Sequence, residues 1–374
     1  MAAAASGSAA PHRVARIDAA AIVANVRAVH RHAGTPSIMV VVKADGYGHG
    51  ALTAARAALA GGADWLGVAD VDEALALRAA GVDAPLLAWL HDPDAHFGAA
   101  AAAHIDIGVS SVQQLQRVIA TAPGAAVQVK LDTGLSRNGV APEEWSDVFR
   151  LAAIAEGDGT LYVRGLFSHL ANASDAEDAA AAARFAEARS KAQQAGLRPE
   201  LTHLSASAAS IRHDQSPYSM VRIGIAAYGL PPVSGGPPLT PAMTLTSRVA
   251  AVRRIQAGSA VSYDSTWRAT APTTLALVPV GYADGVPRSA SNRAQVQLNG
   301  ARRPVRGRIA MDQFVVDVGD DPVALGDQVV LFGDPATGAP GAADWARWAE
   351  TIDYEIVTRL GPRIRREAAS REPA

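Results

Sequence analysis

In "SIMVVVKADGYGHG" a lysine, Lys43, follows directly on an apolar run, with Asp45, Tyr47, His49 and several glycines close behind. A solvated lysine belongs on a helix face or in a polar loop, whereas Lys43 emerges where a buried strand ends. That is a position for chemistry or for a buried ion pair. Other apolar runs also end in polar groups, since "VKLDTGLSRNG" holds Lys130 and Arg137, "FSHLANA" His169, "LSASAAS" Ser207, and "VRIGIAAYG" Arg222 with Gly224. Cations, hydroxyls and glycine backbone gathered at one place could hold a dianionic phosphate and leave one amine for covalent work. A lysine amine attacks a carbonyl when its pKa is lowered, and burial beside other cations lowers it. Schiff-base chemistry with pyridoxal 5'-phosphate is the economical reading. An ion pair of Lys43 with Asp45 that merely closes the strand is the alternative that position alone leaves open.

Those residues meet only if the elements that carry them converge. The chain has 374 residues, of which 49% are hydrophobic but only 5% aromatic, so much of its apolar content is alanine. This favours a two-domain α/β protein with Ala-rich helices. Eight strand candidates alternate with helical stretches: "SIMVVVKAD", "ADWLGVAD", "PLLAWLHD", "DIGVSS", "AVQVKLDTG", "LYVRGLFSHL", "ELTHLSAS" and "MVRIGIAAYG". Such alternation predicts a (β/α)8 TIM-like barrel, whose strand C-termini converge on one mouth. A Pro/Gly-rich passage, "GLPPVSGGPPLTPAM", then reads as a linker. After it come strand-like runs with short connections, "SAVSYDSTW" among them, and a helical tail "ADWARWAETIDYEIVTRLG". The expected division is a disordered tail over 1–13, a cofactor-binding barrel over 14–243 and a mostly β C-terminal domain over 244–374.

Composition removes several classes of function. With 34 Lys+Arg against 36 Asp+Glu, the net charge of -2 gives no electrostatic case for a nucleic-acid or membrane partner. The absence of cysteine excludes disulfides, thiolate metal sites and a cysteine nucleophile together, and no metal site is expected. The opening "MAAAASGSAAPHR" lacks a basic stretch and no apolar run approaches a membrane span, so a cytoplasmic location is expected.

With "VSYDSTWRA", "VPVGYADG", "RGRIAMDQ" and "TIDYEIVTRLGPR" added to the motifs above, the sequence resembles the bacterial alanine racemases from about Val14 to Arg366. The resemblance implies interconversion of L- and D-alanine on pyridoxal phosphate, supplying D-alanine for peptidoglycan. It implies that Lys43 carries the cofactor and serves as one proton-transfer group. Tyr263, reaching in from the neighbouring subunit of an obligate homodimer, is the other, on the opposite face of the substrate Cα. Arg222 is expected to face the pyridine nitrogen, where a group that stays charged makes the ring a weaker electron sink, with His169 orienting it. Tyr47, Ser207, the amides of Gly224 and Ile225, and Tyr354 are expected at the phosphate. Arg137 is expected at the cofactor hydroxyl and substrate carboxylate, braced by Lys130, which many members carry as a carbamate. Met311, Asp312 and Tyr282 are expected at the entrance and substrate carboxylate.

Two positions depart from the family pattern: Ala206 stands where asparagine is common, and Asp264 where glycine usually follows the catalytic tyrosine. A barrel-type amino-acid decarboxylase would use a cysteine and an acidic group at the pyridine nitrogen, against zero cysteines and Arg222 here. A non-catalytic pyridoxal-phosphate carrier would end with the barrel. A serine or broader-specificity racemase stays open, since entrance side chains set substrate size.

Overall fold

The computed structural model describes residues 12–369. The described chain divides into two compact units, Ala20–Thr240 and a second made of residues 12–19 together with 241–369. The strands are β1 (Arg13–Ile17), β2 (Ser37–Val41), β3 (Trp65–Val68), β4 (Leu86–Ala88), β5 (Ile105–Val109), β6 (Ala125–Lys130), β7 (Leu161–Phe167), β8 (Leu201–His203) and β9 (Met220–Ile223).

The first unit is the expected barrel. Its parallel strands run in the order β8-β7-β6-β5-β4-β3-β2-β9. The gap between the two end strands is bridged where Ser219 N donates to Thr202 O at 3.0 Å and Arg222 N to Ser205 O at 3.0 Å. Each of the eight strands matches one of the eight apolar runs read from the sequence, with β5 and β6 beginning one residue earlier, at Ile105 and Ala125. Helices follow the strands, and three of them, Val71–Ala79, Val112–Thr121 and Asp175–Gln194, are capped by the side chains of Asp70, Ser111 and Ser174, each accepting from the backbone N–H three residues on. Inside the barrel, Met39, Leu87, Phe167 and Met220 form a buried cluster against which Trp65, Trp89 and Leu201 pack.

The second unit corrects the sequence boundaries. β1 pairs antiparallel with β10 (Met243–Arg248) and parallel with β19 (Arg365–Ala368), so 14–17 belong to the β unit and not to the barrel. An alternating "RVARI" has the same pattern whichever sheet it joins, and only the register decides. Arg13, placed in the tail by the sequence, opens this strand and donates from Nε to Pro279 O at 2.8 Å. Residues 1–11 of the expected tail lie outside the described residues.

The remaining strands are β11 (Ala251–Ile255), β12 (Ala260–Val261), β13 (Trp267–Arg268), β14 (Thr273–Val278), β15 (Gln295–Leu298), β16 (Ala301–Arg306), β17 (Phe314–Gly319) and β18 (Gln328–Phe332). One sheet takes them in the order β11-β14-β17-β16-β15-β18-β10-β1-β19, and β12 and β13 pair separately. "SAVSYDSTW" is therefore not a strand: two short strands flank a turn at Tyr263–Ser265. The expected final helix is two helices, Ala342–Ala349 and Asp353–Thr358, because Glu350 turns left-handed with φ 58°.

Gly67 of β3 marks how tightly the barrel is filled, since a Cβ there would lie 2.5 Å from Trp89 Cζ3 and 2.8 Å from Met39 Sδ. Gly67→Ala should cost about 1–3 kcal/mol through overpacking, read as a lower midpoint in denaturant unfolding with an unchanged slope. An unaltered midpoint would mean that the Trp89 ring moves aside without cost.

Candidate active site

The site-bearing residues of the barrel unit sit where its strands end. Lys43 lies just beyond β2, and the backbone after it is unusual: Ala44, Asp45 and Gly46 hold left-handed angles (φ 52°, 54° and 61°), and Tyr47 follows at φ 53°. A run of such residues is costly for side chains with a Cβ and persists only when the surroundings enforce it. Glu73 supplies much of that enforcement. Its Oε1 accepts from Ala44 N at 2.7 Å and its Oε2 from Ala69 N at 2.8 Å, tying the Lys43 loop to the end of β3. Asp45 does not pair with Lys43 but turns to the loop itself, accepting from Ala51 N at 2.8 Å.

Tyr47 stacks on Tyr228 with ring centroids 5.0 Å apart, and the Tyr228 hydroxyl donates to Val41 O at 2.9 Å. Gly224 permits this packing, because a Cβ there would collide with the Tyr47 hydroxyl. Ser207, which opens the short helix Ser207–Arg212, accepts from Gly224 N at 2.9 Å and more weakly from Ala226 N at 3.5 Å. Tyr47, Ser207, Gly224 and the adjoining Ile225 thus form one nest of hydroxyls and backbone amides.

Electrostatics ties the cations together. Burial first, then Arg222, Arg137 and Lys43, lower the Lys130 pKa to about 8, with Asp132 opposing. Lys130 also lies over the Phe167 ring, 5.9 Å from its centroid. A strand-end ion pair with Asp132 is not formed: that carboxylate accepts from Gly134 N at 2.9 Å and Ser136 N at 3.1 Å, shaping the loop that leads to Arg137. The Lys43 amine is lowered by burial and then by Arg137, with Glu73 opposing. His169 is pushed down to about 3 by burial, Arg222, Arg137, Lys130 and Lys43, so it is neutral.

Arg222, at the end of β9, is buried and its pKa falls to about 9 through desolvation alone, which still leaves it charged at neutral pH. Its Nη1 bonds to His203 Nδ1 at 2.7 Å and His203 O at 3.0 Å. Its Nη2 bonds to Ser168 O at 2.6 Å, Leu204 O at 3.1 Å and, as the sequence suggested, His169 Nδ1 at 3.3 Å. Among the described residues, Nε–H is the donor left over for an acceptor in the mouth.

The β unit carries the other expected residues. Tyr263 is 68% exposed, on a turn where Ser262, Asp264 and Ser265 all have positive φ, of 62°, 61° and 48°. The turn is pinned by Ser262 Oγ donating to Arg308 O at 2.7 Å and by the Asp264 carboxylate, 3.3 Å from Arg308 Nε. Asp264, the departure from the family pattern, thus has an ionic partner. Tyr282 and Met311 are exposed side by side, joined by Tyr282 N to Ala310 O at 3.0 Å and Ala283 N to Met311 O at 2.9 Å. Asp312 pairs with Arg363 at 2.6 Å, which also holds the buried Asp284 at 2.8 Å. Tyr354 lies in the first turn of the helix Asp353–Thr358, and burial and Asp353 push it up to about 12.

Two family models match in succession, the alanine racemase N-terminal domain over residues 17–232 and its C-terminal domain over 242–368. The chain belongs to the alanine racemase family. An alanine racemase of Mycobacterium leprae is 50% identical over 361 residues, 94% of this chain and 93% of that one. That of Thermobifida fusca is 48% identical, covering 94% and 96%. The crystal structure of the alanine racemase from the D-cycloserine producer Streptomyces lavendulae superposes with a TM-score of 0.94 at 41% identity, covering 97% of this chain and 98% of that one. The chain is thus an isomerase of the racemase type on a barrel with a β-rich partner domain. Among the described residues no helix is long and apolar enough to cross a membrane.

Sequence reading missed Glu73 and His203. Asp70 and Glu73 have the spacing of a capping box, and Asp70 does accept from Glu73 N at 2.9 Å, but nothing local reveals that the Glu73 carboxylate reaches Ala44. Glu73→Ala should lower the Lys43 pKa further, because it removes the negative charge that opposes burial and Arg137. It should also destabilise the fold by about 1–3 kcal/mol through two orphaned N–H groups. Competitive labelling of the lysine amine against pH checks the first effect, with Glu73→Gln keeping one acceptor. A Lys43 pKa unmoved in both variants would refute the electrostatic link.

Proposed function

We propose that the protein interconverts L- and D-alanine with pyridoxal 5'-phosphate, and that the D-alanine supplies peptidoglycan. The observation that carries this is the pairing of a barrel-mouth lysine of lowered pKa with an arginine whose uncommitted donor is Nε–H. The residues present fit the cofactor. Lys43 offers an amine for its aldehyde, the Ser207, Gly224, Ile225 and Tyr47 nest suits its phosphate, and Arg222 offers a charged N–H to the pyridine nitrogen. Bound there, the cofactor supplies electron withdrawal from the substrate Cα.

The protein's own groups then handle protons and charge. Lys43 Nζ takes or returns the Cα proton on one face, and the hydroxyl of Tyr263 of the partner subunit acts on the other, since inversion needs one group per face. Positioned acid–base groups of this kind typically contribute roughly 10²–10⁴-fold. Arg222 stays protonated, so it would leave the pyridine nitrogen it faces without a proton and would favour return of a proton to the substrate Cα over side reactions. His169 orients Arg222. Arg137 receives the substrate carboxylate together with Met311 N–H and Asp312 from the partner, Tyr354 completes the phosphate site, and Tyr282 limits substrate size. The active unit is accordingly a cytoplasmic homodimer with shared sites.

We further infer that Lys130 is carbamylated. Its neutral amine adds to carbon dioxide and releases a proton, turning a cation among cations into an anion beside Arg137. A pKa of about 8 makes the reactive neutral form grow as pH rises through that value. At fixed dissolved ¹³CO₂, a carbamate ¹³C resonance should strengthen between pH 7 and pH 9 and vanish in Lys130→Arg, and its absence in the wild type would rule the modification out.

Racemisation is tested by proton NMR on L-alanine in D₂O with chiral analysis of the product. Cα-deuterated D-alanine is expected, with Lys43→Ala inactive and Tyr263→Phe losing racemisation in both directions and Cα exchange on L-alanine before that on D-alanine. Exchange without D-alanine would leave one base working alone, and full L-to-D activity in Tyr263→Phe would overturn the two-base assignment. No exchange with alanine but exchange with serine would move the substrate.

A further inference from the structure

A buried line of hydrogen bonds runs from Arg222 down into the barrel, away from the mouth. Arg222 Nη1 lies 2.7 Å from His203 Nδ1, His203 Nε2 lies 2.7 Å from Gln128 Oε1, and Gln128 Nε2 donates to Asp106 Oδ2 at 2.8 Å. His203 and Gln128 are 0% exposed, and Arg222 and Asp106 5%. The line descends from the end of β8, through the middle of β6, to the start of β5. At its foot Arg164 Nε stands 2.9 Å from Asp106 Oδ2.

The two ends of this line fix everything between them. A guanidinium only donates, and a carboxylate facing an amide NH2 accepts. Gln128 must therefore present its NH2 to Asp106 and its oxygen to His203. His203 must then carry its hydrogen on Nε2 and leave Nδ1 to accept from Arg222. Burial and the Arg222 charge keep that ring neutral. It is clamped by Phe167, stacked at 5.0 Å and 5°. Every donor points the same way, from cation to carboxylate, and bonds aligned head to tail in a low dielectric strengthen one another.

We propose that His203, Gln128 and Asp106 are positioning residues for the racemase reaction. They form a directional relay that fixes the Arg222 guanidinium and ends, two side chains away, on a carboxylate that Arg164 pairs. A carboxylate in direct contact would neutralise Arg222 locally, whereas a neutral imidazole of fixed tautomer orients it and leaves its charge at the mouth. The proposal rests on the reading of Arg222 as the group that faces the pyridine nitrogen. When the relay is broken, Arg222 loses orientation and a share of turnovers miscarries. In those, the substrate would displace Lys43 from the cofactor's imine carbon, pass its amino group and Cα hydrogen to that carbon, take its keto oxygen from one water and leave as pyruvate.

The first test is ¹⁵N NMR of His203 in the cofactor-free protein, where a neutral ring protonated on Nε2 is expected. Gln128→Met keeps the volume but deletes the two hydrogen bonds in the middle of the relay, to His203 and to Asp106. It should lose that tautomer preference, bind pyridoxal phosphate about tenfold more weakly and form about tenfold more pyruvate per racemisation turnover. Asp106→Asn keeps the shape but removes the charge, and should shift the same readouts in the same direction. It carries the test if Gln128→Met does not fold. A wild-type His203 protonated on Nδ1 would overturn the proposal, as would variants that fold with cofactor affinity and pyruvate yield unchanged. If the wild type fails to racemise alanine, the functional reading falls, while the tautomer and cofactor affinity still decide the relay.

Discussion

The structure is organised around a cluster of cations that the barrel mouth holds without direct neutralisation. Burial and Arg137 lower Lys43, burial with Arg222, Arg137 and Lys43 lowers Lys130, and burial with all four cations keeps His169 neutral. Positive groups in a low dielectric repel, and two of them meet neutral groups: carbonyl oxygens at 2.6–3.1 Å and imidazole nitrogens surround Arg222, and the Phe167 ring lies beneath Lys130. The result is a pocket predisposed toward anionic occupants, with the Lys43 and Lys130 amines both biased toward their neutral forms.

The nearest carboxylates work on the backbone. Glu73 and Asp45 hold the left-handed loop that presents Lys43, and Asp132 shapes the turn before Arg137. Acidic groups here stabilise conformation at one remove from the cations and leave the charge of the mouth largely intact. Asp106 follows the same rule more distantly, with His203 and Gln128 in between. In the β unit the pattern reverses, since Asp264 and Asp312 contact Arg308 and Arg363 directly. There the exposed pairs hold the turns that present Tyr263 and Met311, where solvent screens their charge.

Strain accompanies both presenting loops. The Lys43 loop and the Tyr263 turn each contain consecutive non-glycine residues at positive φ, conformations that persist only when surrounding bonds over-determine them. In both, the over-determining groups are polar side chains distant in sequence: Glu73 for the one, and the interplay of Ser262 and Asp264 with Arg308 for the other. Rigid presentation of Lys43 and Tyr263 fits the roles proposed for them, in which each proton-transfer atom must meet one carbon from a fixed side.

Local pattern was enough to specify the eight barrel strands, the change to a β-rich unit, and the grouping of Lys43, Lys130, His169, Ser207 and Arg222 at strand ends. Strand periodicity and residue type are local properties, and a closed barrel turns strand ends into a common mouth. Whatever depends on long-range partners emerged only in the folded chain. β1 joined the β sheet because register with β10 and β19, and not its alternating pattern, selects a partner. Asp45 turned to Ala51 N and Asp132 to its own loop, leaving Lys43 and Lys130 without the ion pairs their spacing allowed. Glu73, His203, Gln128 and Asp106 became legible only in three dimensions, because each looks like an ordinary helix or strand residue until its hydrogen-bond partner, tens of residues away, is brought within 3 Å.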